Sequence, residues 1–392
     1  MRNIIITGGE LFNKGAQAMV FVTVDELKKR FPDHEIYVLS EMDRRRPKEE
    51  LEQYAFRFTG WYPIKFAKAQ SDPLLKLACK FRNGAEYREC EALYKNCDLM
   101  VDISGYGLGS NWDINQLTTY ADHLEYAKEF HIPTVLMPQS FGPFDFEGKK
   151  SAVGSRFPEL LRYVKFICAR EQQGYDALVS SFGLTNVRIM PDLVLNNKSV
   201  DLGRIFRKIP RFELPEIPEG AVALIPNERI VSAVGQEMAL TLYITAMKSL
   251  LKTGRPVILL RHAEADRSLC QAILNGISED GIVFLDRDFS CLEYNELVKQ
   301  FHFIVASRFH AIVHAYKNGV PAIALGWADK YRELMKCFGQ EAYAIDVRDH
   351  DCVLRLPCAV ETVDKKSEKE RILEGIREFQ KTNVFDVIDD LC

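Results

Sequence analysis

The chemistry in this chain concentrates in one tetrapeptide, Ser307-Arg308-Phe309-His310. Arginine grips oxyanions through a planar fork of N–H donors, and histidine exchanges a proton near neutral pH. The apolar run 303–306 just before it reads as a buried strand. Ser307 carries a hydroxyl able to cap a helix over 308–316, which Gly319 ends before a second apolar run at 320–325. Arg308 and His310 are thereby expected in the first turn of a helix, where free backbone N–H groups and the helix dipole attract an anion.

Other polar residues follow apolar runs in the same way. Gln139 and Ser140 follow 134–137, Arg170 and Glu171 follow 166–169, and Asp192 follows 187–190. Further on, Arg261 and His262 follow 257–260, with Asp266 opening the next helix. In an open parallel sheet the carboxyl ends of the strands line one edge, and ligands bind there. Gln139, Ser140, Arg170 and Asp192 are therefore expected to share a crevice despite their separation in sequence. The first loop, GGELFNKGAQA after residues 3–7, is neither a G-x-G-x-x-G fingerprint nor a P-loop. Gly8, Gly9 and Gly15 still allow backbone to approach a ligand closely, and Asn13 is able to hydrogen-bond one.

The elements that must position these residues alternate as βα units. Short apolar strands are expected at 3–7, 36–39, 99–103, 134–137, 166–169, 187–190, 222–225, 257–260 and 282–285, besides the two flanking the tetrapeptide. Helical patterns run to about residue 30 and over 114–130, 235–252 and 291–300. Two helices separated by the breaker Asn383 are expected over 366–391. The proline-bearing, charged stretch 196–220 has no clean period and reads as a linker between an N-terminal lobe (1–200) and a C-terminal lobe (221–345), with a helical tail at 346–392. An α/β fold of two Rossmann-like lobes around a central cleft follows.

Residues 57–82 break the alternation with six Lys and Arg against the single acid Asp72, interleaved with Trp61, Tyr62, Phe66 and Phe81. A basic, aromatic insertion of this kind is able to rest on an anionic membrane surface, or to pack as a solvated helix on its own domain. The chain has 392 residues and a formal net charge of −4, which argues against a general nucleic-acid binder. It has no apolar run of bilayer length, and its N-terminal apolar run is too short for a signal peptide. Its ten scattered cysteines, several flanking apolar runs, read as buried free thiols in a reducing cytoplasm. No metal-ligand cluster is apparent, and no cofactor is implied.

The stretches GGELFNKGAQAM, DISGYGLGS, MPQSFGPF, ICARE with MPD, LLRHAEADRSLC and SRFHAIVHAYKNGVPAIALGWADKYREL together resemble the polysaccharide pyruvyltransferase family. They run in the family's order from residue 3 to about 334. One departure stands out: the family's N-x-G-D reads Asn13-Lys14-Gly15-Ala16 here.

The resemblance implies a GT-B-like fold and a transferase that moves the pyruvyl group of phosphoenolpyruvate onto a sugar as a ketal, releasing phosphate. Family members decorate exopolysaccharide, capsule or cell-wall polymers. Arg308 and His310 carry over as donor-binding and catalytic residues, and Arg170 as a second donor-binding arginine. From residue chemistry we add Asn13, Gly15, Gln139, Ser140, Asp192, His262 and Ser307 as substrate-binding candidates. His310 is the candidate general acid, and Asp192 or His262 the base. The expected partners are phosphoenolpyruvate and a saccharide acceptor. For a lipid-linked acceptor, the 57–82 segment offers peripheral contact with the inner membrane surface. Two other readings stay open. One is a nucleotide-sugar glycosyltransferase or epimerase on the same fold, and the other is a non-catalytic polysaccharide-assembly subunit.

Overall fold

The computed structural model of the protein describes residues 2–60, 73–74, 77–78 and 84–391. Most of the basic segment 57–82 lies outside the described residues. Residues 57–59 do not belong to an insertion, because they form the edge strand of the first sheet.

That sheet is wholly parallel. In chain order its strands are β1 (Asn3–Thr7), β2 (Glu35–Leu39), β3 (Arg57–Thr59), β4 (Cys97–Asp102), β5 (Thr134–Gln139), β6 (Phe166–Ala169) and β7 (Val187–Ile189), and in space they run β3-β2-β1-β4-β5-β6-β7. A second parallel sheet has β8 (Val222–Ile225), β9 (Val257–Leu260), β10 (Ile282–Leu285), β11 (Ile304–Ala306), β12 (Ala322–Gly326) and β13 (Ala344–Asp346) in the order β10-β9-β8-β11-β12-β13. The central strands are buried on both faces, which is why they appear in the sequence as unbroken apolar runs.

Each sheet reverses its strand order once, between β1 and β4 in the first lobe and between β8 and β11 in the second. At such a switch point the loops leaving adjacent strands diverge and open a crevice at the carboxyl edge. The glycine loop follows β1, the DISGYGLGS loop follows β4, and the SRFH tetrapeptide follows β11. The fold thus delivers the chemically loaded loops to its two crevices.

Between the sheets, the stretch 196–220 is partly structured. It carries the helical turn Leu202–Ile205, and Ile205 and Phe206 are buried in the first lobe, where Ala55 N–H bonds Ile205 O at 2.8 Å. Helix Cys352–Val363 packs on helix Gln236–Leu251 of the second lobe. The chain then returns to the first lobe. Asn196 donates to Phe379 O and Thr382 O and accepts from Val384 N–H at 3.0 Å, while Arg30 pairs with Asp386 and Asp389 at 2.8 and 2.7 Å. Where a second helix was expected beyond Asn383 there is a 3-10 segment, Val384–Ile388, whose Phe385 N–H is capped by the Asn383 side chain. No helix among the described residues is long and apolar enough to cross a membrane.

Candidate active site

Helix Phe309–Lys317 follows β11, and its N-cap is Arg308, with no side chain capping the first turn. The expected cap, Ser307, is one residue too early. Its hydroxyl is buried and accepts from Tyr243 O–H at 2.8 Å, and its carbonyl accepts from Tyr331 O–H and Asn227 Nδ2. Ser307 is therefore a buried anchor of the turn, with no atom free for a substrate. The uncapped helix start leaves the favourable end of the dipole to the crevice.

Arg308 is held from behind. Its Nε donates to Asp266 Oδ2 at 3.0 Å and its Nη2 to Oδ1, a bidentate pair on a fully buried carboxylate. Asp266 is itself fixed by the N–H groups of Glu228 and Ala263, each at 3.0 Å. This backing aims the guanidinium and leaves its remaining N–H groups for a ligand.

Arg170 comes from the opposite lobe, just after β6. It donates to Asp192 Oδ2 and to Ser140 Oγ, both at 2.8 Å, to Glu171 Oε1 at 3.1 Å, and to Gly105 O at 3.3 Å. Its guanidinium also lies 4.5 Å from the Phe309 ring centre, so it spans the two lobes at the tetrapeptide. Ser140 Oγ donates to Glu171 at 2.8 Å and completes this clamp. Asp192 Oδ1 accepts from Val194 and Leu195 N–H, capping the turn Leu193–Asn196. Burial pushes the Asp192 carboxyl up, but the Arg170 and His310 side chains beside it hold it below the usual carboxylate range. With both oxygens committed, Asp192 is a weak base that orients its neighbours.

His310 lies where the lobes meet. Burial pushes its pKa down to about 4; Asp192 opposes that shift, while Arg170 and Lys330 add to it. Its Nε2 is buried without a partner. Gly15 of the first loop lies directly against the ring. Asn13 caps helix Lys14–Arg30 by accepting from Gly15 N–H at 2.9 Å, which fixes that approach. The same helical turn reaches across the cleft twice more. Lys14 pairs with Asp288, and Gln17 Oε1 accepts Cys291 N–H at 2.6 Å.

Two other sequence candidates lie deeper. Gln139 is fully buried and donates to Asp102 Oδ1 at 2.9 Å. Asp102 also accepts from the Thr7 and Ser104 hydroxyls, so Gln139 helps tie the loops after β1 and β4 beneath the cleft. His262 is buried against Tyr294, ring centres 4.9 Å apart, with neither ring nitrogen hydrogen-bonded. Burial and the charge of Arg308 depress its pKa well below the ordinary value.

One residue absent from the sequence candidates stands at the centre. Lys330 Nζ lies 5.3 Å from the ring centre of Phe309, 5.5 Å from Trp327, 5.7 Å from Tyr331 and 5.9 Å from Tyr106. Its pKa is pushed down to about 8 by burial first and by Arg170 second. Among the described residues it forms no ion pair, so it is a cation held by ring faces and available to an anion. Its sequence signal was the aromatic spacing in Trp327-x-x-Lys330-Tyr331, which resembles ordinary core patterning.

The arrangement is a cleft between two Rossmann-like lobes, with Arg170 and Lys330 beside the His310 imidazole and Arg308 at the same helix N-terminus. Its fold is that of the GT-B enzymes. The solved UDP-GlcNAc 2-epimerase of Neisseria meningitidis bound to UDP-GlcNAc aligns with a TM-score of 0.61 at 12% identity, covering 99% of this chain and 98% of that one. The UDP-GlcNAc 2-epimerase of Methanocaldococcus jannaschii aligns at 0.59 and 14% identity, covering 96% and 100%. Medicago truncatula UGT71G1 complexed with UDP-glucose aligns at 0.56 and 12%, covering 100% and 98%. No curated protein matches the chain. Within this class the family is set by sequence: residues 13–329 match the polysaccharide pyruvyl transferase model, and the chain belongs to that family of transferases.

Proposed function

We propose that the protein transfers the pyruvyl group of phosphoenolpyruvate to two hydroxyls of one saccharide residue, forming a ketal and releasing phosphate. The observation that carries this is the convergence of Arg170 and Lys330 on His310, with Arg308 two residues before it at the same helix start. Phosphoenolpyruvate has a phosphate and a carboxylate on a three-carbon frame, and it needs several cationic anchors around one proton donor.

In the free protein the imidazole is neutral, with its pKa near 4. The donor's negative charges oppose that depression, so His310 gains its proton as the donor binds. It then delivers the proton to the methylene carbon, and the adjacent carbon becomes electrophilic. The first sugar hydroxyl attacks there and returns its proton to His310. That proton leaves with the phosphate as the carbon–oxygen bond to phosphate breaks, with Arg308 and Lys330 stabilising the departing charge. The second hydroxyl closes the ketal, and its proton restores the imidazolium. Two hydroxyl protons are lost; one ends on phosphate and the other replaces the proton given to carbon. Since the Asp192 oxygens are committed and the His262 ring is sealed, one imidazole serves as acid and then as base.

Phosphate release tests this. Phosphoenolpyruvate with a saccharide panel is expected to release phosphate with the wild type and not with His310→Ala. Equal release by the variant would remove His310 from the reaction.

A further inference from the structure

The loop from β4 to helix Ile114–Glu129 presents aromatic rings that donor binding leaves unused. It is pinned along its length. Ser140 N–H bonds Gly105 O at 2.9 Å, Gly142 N–H bonds Leu108 O at 3.0 Å, and Ser110 N–H bonds Pro143 O at 2.7 Å. The Tyr106 hydroxyl donates to Gly142 O at 2.9 Å. Side chains on such a loop are set in place before any ligand arrives.

Tyr106 and Trp112 pack together at 5.3 Å, and both rings are half-buried. Tyr106 also faces Lys330 of the other lobe, which puts the pair across the cleft from Phe309 and His310. The Trp112 Nε1 is buried, so the indole surface left open is carbon. Exposed next to it in the chain are Asn111, which donates one amide N–H to the Tyr106 hydroxyl at 3.3 Å, and Asn115 and Gln116, while Asp113 is occupied in capping Asn115 and Gln116 N–H at 2.8 and 3.1 Å. A half-open aromatic face edged by neutral carboxamides suits a neutral polyol better than an anion. The ring covers a pyranose C–H face and the amides take hydroxyls.

We propose that this Tyr106–Trp112 shelf binds the acceptor saccharide, a pyranose stacked on Trp112 with hydroxyls held by Asn111. The proposal rests on the saccharide acceptor of the proposed function and adds the place where it sits. The loop after β4 then holds the acceptor, and Arg170, the second-lobe helix and Lys330 hold the donor.

Saturation-transfer NMR with methyl glucoside, galactoside, mannoside and N-acetylhexosamine pyranosides reads binding without turnover. At least one sugar is expected to bind the wild type with its ring protons saturated. Trp112→Ala should weaken that sugar at least about tenfold, and Trp112→Phe should restore most of it. The melting shift with phosphoenolpyruvate, read on the same Trp112→Ala protein, should persist and certify its fold. No sugar binding to the wild type, or equal binding by Trp112→Ala, would overturn the shelf. Loss of the phosphoenolpyruvate shift in wild type with sugar binding intact would instead overturn the donor assignment.

Discussion

Gly15 of the first lobe lies against the imidazole of His310 in the second, so closely that a Cβ on Gly15 would fall 2.1 Å from Nδ1 and 2.2 Å from Cγ. No side chain fits there without moving the ring or the lobe. Gly15→Ala is expected to cost about 1–3 kcal/mol of stability through overpacking, and turnover by at least about tenfold as His310 is displaced. Paired melting and kcat measurements check this; an alanine variant with wild-type kcat would mean that the contact does not set the imidazole.

Asp266 holds Arg308 from 42 residues away in the chain. Removing that carboxylate leaves a largely enclosed guanidinium without its partner. Asp266→Ala should lower stability by about 3 kcal/mol, with Asp266→Asn milder, and both should weaken donor binding. Denaturant unfolding together with calorimetric titration of phosphoenolpyruvate reads the two effects separately.

Lys330 titrates near pH 8 in the free protein. Anion binding favours its charged form, so the KM for the donor should rise as pH climbs through about 8 and the lysine loses its charge. Lys330→Arg, which stays protonated, should remove that alkaline limb even where its kcat is lower. A variant that keeps the same limb would assign the titration elsewhere.

The buried histidines set an acid limit on stability. Burial pushes His123 and His314 down to about 3 and His310 to about 4, against an ordinary value of 6.5. Below 6.5 the unfolded chain binds protons that the folded chain refuses, so stability falls as pH drops from 6.5 toward 4. Urea midpoints across that window should decline steadily. A flat profile would mean that these rings are already solvated.

Much of this molecule is legible in its sequence because doubly buried parallel strands leave continuous apolar runs. The runs at β1, β6, β8, β9 and β10 coincide with the strands to the residue. The strands that escaped, Arg57–Thr59 and Ala344–Asp346, are three-residue edges too short to show a period, and the first has no buried residue. Strand-end logic places Arg170, Ser140 and Asp192 in one cluster, since sheet topology alone aligns those ends. Three relationships stayed hidden: Gly15 on His310, Asp266 behind Arg308, and the rings around Lys330. Each joins residues distant in sequence, the third through Phe309 and Tyr106, and the first and third also depend on how the lobes face each other. Ser307 misled for a smaller reason. The helix begins one residue later than its hydroxyl suggests, and the turn places that hydroxyl inside, on Tyr243.

Thermal melting with phosphoenolpyruvate, run beside UDP- and GDP-sugars, shows which donor the cleft takes. Donor at about 100 times its dissociation constant adds about 2.7 kcal/mol and raises the melting point by a few degrees. A shift with phosphoenolpyruvate is expected, and it should disappear in Arg308→Ala and Lys330→Ala. A shift with a nucleotide sugar alone would contradict it and make this cleft the site of nucleotide-sugar chemistry.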